Sequence, residues 1–285
     1  MSIKRVVPVV PNPSLLIETK TERILVVGDL HIGWEISLME KGIHIPSQAW
    51  RISNELLKIL NKCDPNRIIF LGDVKHAISR ISLEEWGAVP DFFENIQNMV
   101  KDLSVIAGNH DGGLESLIPS SVKNLRSTGL VVGKKRKIEL FHGHAWPAPE
   151  VLTCELLVMG HVHPVIWFRD KLGTWLIKQV WIKGRCDSQK LAKAYLKYLK
   201  VKIGENPEET LKKRGIQLND PHLIIMPTFN DLIGGISLNR FQKRLVDPFL
   251  GSKNVNIDVC EIYLLDETYL DTTKQVQTYL DTTNP

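Results

Sequence analysis

Ile24-Leu25-Val26-Val27-Gly28-Asp29-Leu30-His31 is a β-branched apolar run that stops at a glycine and delivers an acid and an imidazole two residues apart. A short apolar run bounded by a turn residue reads as a strand buried on both faces. The same arrangement returns in Arg67-Ile68-Ile69-Phe70-Leu71 before Gly72-Asp73, and in Leu103-Ser104-Val105-Ile106-Ala107 before Gly108-Asn109-His110-Asp111. Between the first two runs, Pro46 to Asn61 places Ile52, Leu56, Leu57 and Leu60 at helical spacing. Between the next two, Leu83 to Val100 carries Trp86, Phe92, Phe93, Ile96 and Val100. The order is β-α-β-α-β, which predicts parallel strands whose carboxyl ends open onto one crevice. Three strand ends would then bring their polar groups together.

Working outward, Gly129 to Val132, Lys137 to Phe141, Leu156 to Met159, Val165 to Arg169 and Thr174 to Ile182 read as further strands. Their short connections favour direct pairing over helical crossovers. The expectation is two packed sheets with flanking helices, an α/β sandwich. Two of these strands also end in imidazoles, at Phe141-His142-Gly143-His144 and Gly160-His161-Val162-His163. One such motif is commonplace at a turn. Five in series, most of them beside a glycine where the backbone must turn tightly, point to a metal site.

Beyond residue 185, Ser188 to Lys200 predicts an amphipathic helix, with Leu191, Tyr195, Tyr198 and Leu199 on one side and Lys190, Lys193, Lys197 and Lys200 on another. A charged linker, 204–219, leads to a strand at His222 to Met226. Thr268-Tyr269-Leu270-Asp271-Thr272-Thr273 recurs as Thr278-Tyr279-Leu280-Asp281-Thr282-Thr283. This repeat is expected to be a loosely ordered terminus, or else a docking strand for a partner, and is given no chemistry.

The chain has 285 residues, 43% hydrophobic and 24% charged, which excludes bulk disorder and suffices for a core without disulfides. Lys+Arg 36 against Asp+Glu 32 gives +4, permitting an anionic partner without requiring one. The four cysteines are scattered with no C-x-x-C pair, as expected of reduced thiols in a cytosol. Pro8, Pro11 and Pro13 break the apolar N-terminus, and no run is long enough to span a membrane. A cytoplasmic protein is expected.

The succession D-x-H, G-D, G-N-H-D, H and G-H-x-H over about residues 24–164 resembles the calcineurin-like metallophosphoesterases. The resemblance implies that family's two-sheet sandwich and a centre of two divalent ions. Asp29, His31, Asp73 and His163 would hold one ion, and Asp73, Asn109, His142 and His161 the other, with Asp73 bridging. It also implies hydrolysis of a phosphodiester by a hydroxide shared between ions about 3.5–4 Å apart. Donors of this kind, without a thiolate, suit Mn²⁺, with Fe or Zn²⁺ as alternatives.

His110 would be the acid that protonates the leaving alkoxide. Members of the family often carry an Asp three residues after the G-D aspartate, where this chain has His76. A histidine there is similar to the SbcD-like nuclease branch and makes His76 a second catalytic candidate. Asp29-Leu30-His31-Ile32-Gly33-Trp34-Glu35, Gly42-Ile43-His44-Ile45-Pro46, Met226-Pro227-Thr228-Phe229-Asn230 and Gly234-Gly235 look like the PdeM-like branch, the ligase-associated DNA damage response phosphoesterases with archaeal relatives. This extends the resemblance to about residue 240.

The expected domains are a phosphoesterase domain, 1–245, with metal motifs at 24–164 and an accessory helix and strands at 165–245, then a C-terminal extension, 246–285. The expected function is a metal-dependent phosphodiesterase, a DNA or RNA nuclease in repair or processing, with nucleic acid as substrate, a repair protein as a candidate partner and no membrane. The alternatives are a phosphomonoesterase or small-nucleotide diesterase, and a non-catalytic scaffold that keeps the fold. Lys134-Lys135-Arg136-Lys137 reads as a solvated hairpin turn or a phosphate contact. Trp34 and Trp146 would stack on a base, wall the cleft or simply pack. His144 is expected to orient a ligand histidine, and Glu35 to bond a ligand or substrate.

Overall fold

The computed structural model describes residues 2–281 apart from 170–171, 204–205, 217 and 241–246. Its first sheet comprises β1 (Ile3–Pro8), β2 (Ser14–Thr19), β3 (Arg23–Val27), β4 (Arg67–Phe70), β5 (Asp102–Ile106) and β6 (Lys123–Leu125), paired in that order. β3 to β6 are parallel, while β1 and β2 form an antiparallel hairpin on β3. The crossovers carry α2 (Ala49–Cys63) and α3 (Leu83–Gln97), after the short α1 (Glu35–Met39). The β-α-β-α-β reading holds to within a few residues at each boundary.

The second sheet holds β7 (Leu130–Val132), β8 (Ile138–Phe141), β9 (Leu156–Met159), β10 (Pro164–Arg169), β11 (Trp175–Arg185), β12 (His222–Ile225), β13 (Ile236–Ser237), β14 (Glu261–Leu264) and β15 (Tyr269–Thr272). Helices α4 (Ser188–Tyr198) and α5 (Pro207–Lys212) lie between β11 and β12, and α6 (Thr273–Asp281) follows β15.

Side-chain alternation builds the layers. Leu25, Val27, Ile68 and Phe70 face α2 and α3 in one apolar cluster. Their neighbours Ile24, Val26, Ile69 and Leu71 face the second sheet, packing with Ile138, Leu140, Val158 and Trp181. Successive strand residues point to opposite faces, so runs apolar on both faces are what a doubly covered sheet requires. A third cluster seats α4 on the far side of the second sheet through Leu191, Tyr195 and Leu196. The result is helix, sheet, sheet, helix, the expected sandwich.

Pro8 closes β1 and Pro13 precedes β2, so the proline-broken N-terminal stretch is a sheet edge. Two expectations are corrected. The charged linker contains α5, which Asn206 caps by accepting the Glu208 amide at 2.9 Å. The first copy of the repeat is an ordered strand: β15 pairs with β14, β14 pairs with β11, and the Val276 side chain of α6 is buried in the α4 core. The backbone of the second copy enters α6, and residues 282–283 lie outside the described residues. One hexapeptide thus adopts two backbone states, because tertiary pairing outweighs local propensity. No helix among the described residues is long and apolar enough to cross a membrane.

Candidate metal centre

The polar residues at the ends of β3, β4, β5, β8 and β9 converge. His163 Nε2 lies 3.1 Å from Asp29 Oδ1 and 3.4 Å from His31 Nε2. His142 Nε2 lies 3.3 Å from Asp73 Oδ2, 3.2 Å from Asn109 Oδ1 and 3.1 Å from His161 Nδ1. His31 Nε2 is 3.6 Å from Asp73 Oδ2, which joins the two groups. All seven expected ligands meet here. Asp29, His31 and His163 form one cluster able to hold an ion, and Asp73, His142 and His161 form another.

The backbone is bent to do this. Asp29, His31, Asp73, His161 and His163 all have φ between 46° and 69°, a left-handed conformation that most residues avoid. Strain of this sort persists only where the surroundings over-determine it. Gly72 and Gly108 let the loops close: a Cβ at Gly72 would lie 2.5 Å from His142 Nδ1, and one at Gly108 would collide with Asp73 Oδ1 and the Asp73 amide.

The donor set fits divalent cations. His142 Nδ1–H donates to the Leu71 carbonyl at 2.8 Å, which turns the Nε2 lone pair toward Asp73, Asn109 and His161. Burial would favour neutral His142, but Asp73 and Asp29 outweigh it and push the ring up to about 9. The pocket demands positive charge at this point, and a divalent ion supplies it where a proton otherwise must. Burial pushes His31 down to about 3 and His161 down to about 4, leaving both as neutral imidazoles fit for coordination. Asp73 stays ionised despite its burial, held there first by His142 and then by His31.

The two catalytic candidates lie beside this group. His110 Nδ1–H donates to the His76 carbonyl, and its Nε2 is 3.9 Å from Asp73 Oδ2. His76 Nδ1 is 3.3 Å from His31 Nδ1, and His31, His76 and His110 form a third cluster of converging donors.

Several structural partners went unread in the sequence. Asp111 ends the Gly108-Asn109-His110-Asp111 motif, and its carboxylate accepts the amides of Asp73, Val74 and Gly108, each at 2.8 Å. Burial, then the Asp73 charge, pushes it up to about 6. Glu85 closes a capping box with Ser82 and accepts the amides of His76 at 2.9 Å and Ala77 at 2.7 Å. The Ser82-Leu83-Glu84-Glu85 spacing carries that signal. Thr228 Oγ1 donates to the Asp29 carbonyl at 2.8 Å, and Asn230 Nδ2 to the Leu30 carbonyl at 3.1 Å, so the late Met226–Asn230 motif braces the first ligand loop.

Two expected roles fall elsewhere. Leu71, not His144, fixes the His142 tautomer; the His144 ring stands 5.3 Å from that of His142 and its buried Nδ1 has no described partner. Glu35 Oε1 accepts the Gln48 amide at 3.0 Å, just ahead of α2, and no bond from Glu35 to a candidate ligand is found among the described residues. Trp146 packs against Tyr195, Tyr198 and Phe249.

A model of the calcineurin-like phosphoesterases matches residues 22–203. Among solved structures, the Pseudomonas putida nuclease MPE is similar with a TM-score of 0.50 and 17% identity, covering 93% of this chain and 100% of that one. The E. coli phosphoesterase Yfce is similar with a TM-score of 0.33 and 17% identity, covering 52% of this chain and 73% of its own. No curated protein matches. The match spans well over half the sequence, includes every candidate ligand, and fits a sandwich with histidine–aspartate clusters at its strand ends. The chain belongs to the calcineurin-like phosphoesterase family, whose members are metal-dependent hydrolases of phosphoester bonds.

Proposed function

We propose that the protein is a dinuclear phosphodiesterase acting on nucleic acid, of the PdeM-like kind, with Mn²⁺ as the working ion. The observation that carries this reading is the meeting of two ligand clusters at Asp73, with the His110 imidazole on the same carboxylate. Asp29, His31, Asp73 and His163 would hold one ion, and Asp73, Asn109, His142 and His161 the second. Bound there, the ions supply Lewis acidity at the phosphoryl oxygens and lower the pKa of a water toward neutrality.

The chain's own residues do the rest. His110 donates an Nδ1–H hydrogen bond to the His76 carbonyl, which orients the ring; as the imidazolium it would carry a second proton on Nε2 and pass that one to the leaving alkoxide. His76 carries that carbonyl and is fixed in turn by Glu85. Its ring stands edge-on to that of His31, 5.3 Å between centroids, at the margin of the ligand cluster. Nucleic acid as the substrate is supported by His76 in place of an acid, and by the resemblance of the Met226–Asn230 and Gly234-Gly235 motifs to a repair-associated branch.

The test is to strip the protein with EDTA, refill it with Mn²⁺, and compare a phosphomonoester, bis-p-nitrophenyl phosphate, and labelled single- and double-stranded DNA and RNA. The proposal expects diester and polynucleotide cleavage that depends on the ion. Preference for the monoester, or no turnover of any ester by the reloaded protein, overturns it.

A further inference from the structure

Three features that stand apart in the sequence meet in one concavity of about 630 Å³. It is lined by Trp146, Tyr198, Lys190, Lys193, Lys197 and Lys253, and no acidic residue among the described ones lines it. Asp187 holds Lys190 at 3.0 Å, but Lys193, Lys197 and Lys253 form no ion pair among the described residues. Lys253 comes from a turn remote in sequence from α4, and its backbone is left-handed, with φ 59°. A solvated helix face explains a row of lysines on α4. It does not explain a further lysine arriving from another element around the same hollow, where like charges repel unless an anion joins them.

The floor of the hollow is aromatic. Tyr198 is 50% exposed, and its ring stacks on Trp146 at 5.5 Å between centroids and 24° between planes. Trp146 is held from behind by Tyr195 and Phe249. Tyr198 therefore presents a half-exposed ring backed by a second aromatic ring. A face that accepts any planar base, ringed by ammonium groups, has the composition of a single-strand binding platform.

The hollow is tied to the metal centre. Trp146 lies two residues past His144, at most about 7 Å along the backbone, and the His144 ring is 5.3 Å from the ring of the ligand candidate His142. The other basic segment, Lys134 to Lys137, lies at the opposite end of β8 from His142, roughly 16 Å away at the rise of a strand.

We propose that this concavity is a single-stranded nucleic-acid subsite, in which Tyr198, backed by Trp146, stacks a base while Lys193, Lys197 and Lys253 contact the phosphates of nucleotides displaced from the scissile bond. The subsite rests on the phosphodiesterase reading for its purpose but not for its occupancy, so binding and turnover are measured apart. Binding uses the Mn²⁺-loaded full chain and a non-cleavable phosphorothioate oligothymidylate, titrated over a range of salt. Turnover uses bis-p-nitrophenyl phosphate, which is too short to reach Tyr198.

Replacing Lys193, Lys197 and Lys253 together by Gln is expected to reduce the slope of log affinity against log salt by about 2, at roughly 0.7 per phosphate contact on a single strand. Tyr198→Ala is expected to weaken binding about tenfold, with Tyr198→Phe restoring it. The losses in oligonucleotide affinity should exceed any change on the small diester by at least tenfold. Lys134→Gln with Lys135→Gln should leave the salt slope where it was. An unchanged slope in the triple variant, or equal affinity of Tyr198→Ala and wild type, overturns the subsite. So does an equal loss of polyglutamate binding in Tyr198→Ala, since a peptide polyanion has no base to stack. If the small diester is not cleaved yet the oligonucleotide effects appear, the phosphodiesterase reading fails and the subsite stands.

Discussion

Asp111 Oδ2 accepts the backbone amide of Asp73 at 2.8 Å while its Oδ1 accepts that of Val74 at the same distance. One buried carboxylate therefore holds the turn after β4 in the left-handed shape that aims Asp73 at both ligand clusters, and a bond to the Gly108 amide ties in the turn after β5. Asp111→Asn keeps the volume but can turn an amide group toward these donors. Each amide left without its acceptor costs roughly 1–3 kcal/mol. The expected outcome is a lower midpoint in urea and a loss of Mn²⁺ affinity of about 10–100-fold, read by titration calorimetry. Wild-type affinity in the variant would show that Asp111 does not position Asp73.

His110 and Asp73 separate chemistry from binding. His110→Ala should retain the ions and lose about 10²–10⁴ in turnover of a diester, because only a proton donor is removed. Asp73→Ala removes the carboxylate common to the clusters and should lose the ions themselves. Metal content by mass spectrometry under native conditions distinguishes the two, and equal metal loss in both would reassign the roles.

Glu85 links helix capping to the site. Glu85→Ala removes the capping box, worth about 0.5–2 kcal/mol, and frees the amides of His76 and Ala77. Turnover is expected to fall while metal stoichiometry stays at the wild-type value. Ser82→Ala, which breaks the cap but leaves those two amides bonded, should lower stability with a smaller loss of turnover. Equal turnover in the two variants would mean that only the helix, and not His76, depends on Glu85.

Much of this was legible beforehand because strand and ligand are read from adjacent residues. An apolar run ending in Gly28-Asp29 or Gly72-Asp73 states both where the chain is buried and where it turns, so β3, β4 and β5 and the seven candidate ligands could be named together. Asp111 escaped because its role is to accept amides from a turn remote in sequence, which no local spacing encodes. β15 escaped for the related reason that Tyr269–Thr272 is a strand only through its pairing with β14. The association of Trp146 with α4 likewise depends on how the second sheet folds back, not on either segment alone.

Glu139 sets a pH dependence away from the site. Its side chain is buried in β8 with no described hydrogen-bond partner for either oxygen, and burial, then Glu150, pushes it up from 4.5 to about 8. Between these values the folded chain keeps a proton that the unfolded chain has released. Stability therefore falls as pH rises through that window, by about 1.4 kcal/mol per unit. Glu139→Gln should raise the urea midpoint clearly at pH 8 and little at pH 5. The same gain at both would place the Glu139 charge elsewhere.

The account rests on a pair of cations enclosed by Asp29, His31, Asp73, Asn109, His142, His161 and His163. Anomalous diffraction at the manganese edge from crystals soaked in Mn²⁺ tests it most directly. Two adjacent peaks sharing the Asp73 carboxylate are the predicted result. Density for a single ion, or peaks only outside this cluster, would contradict it.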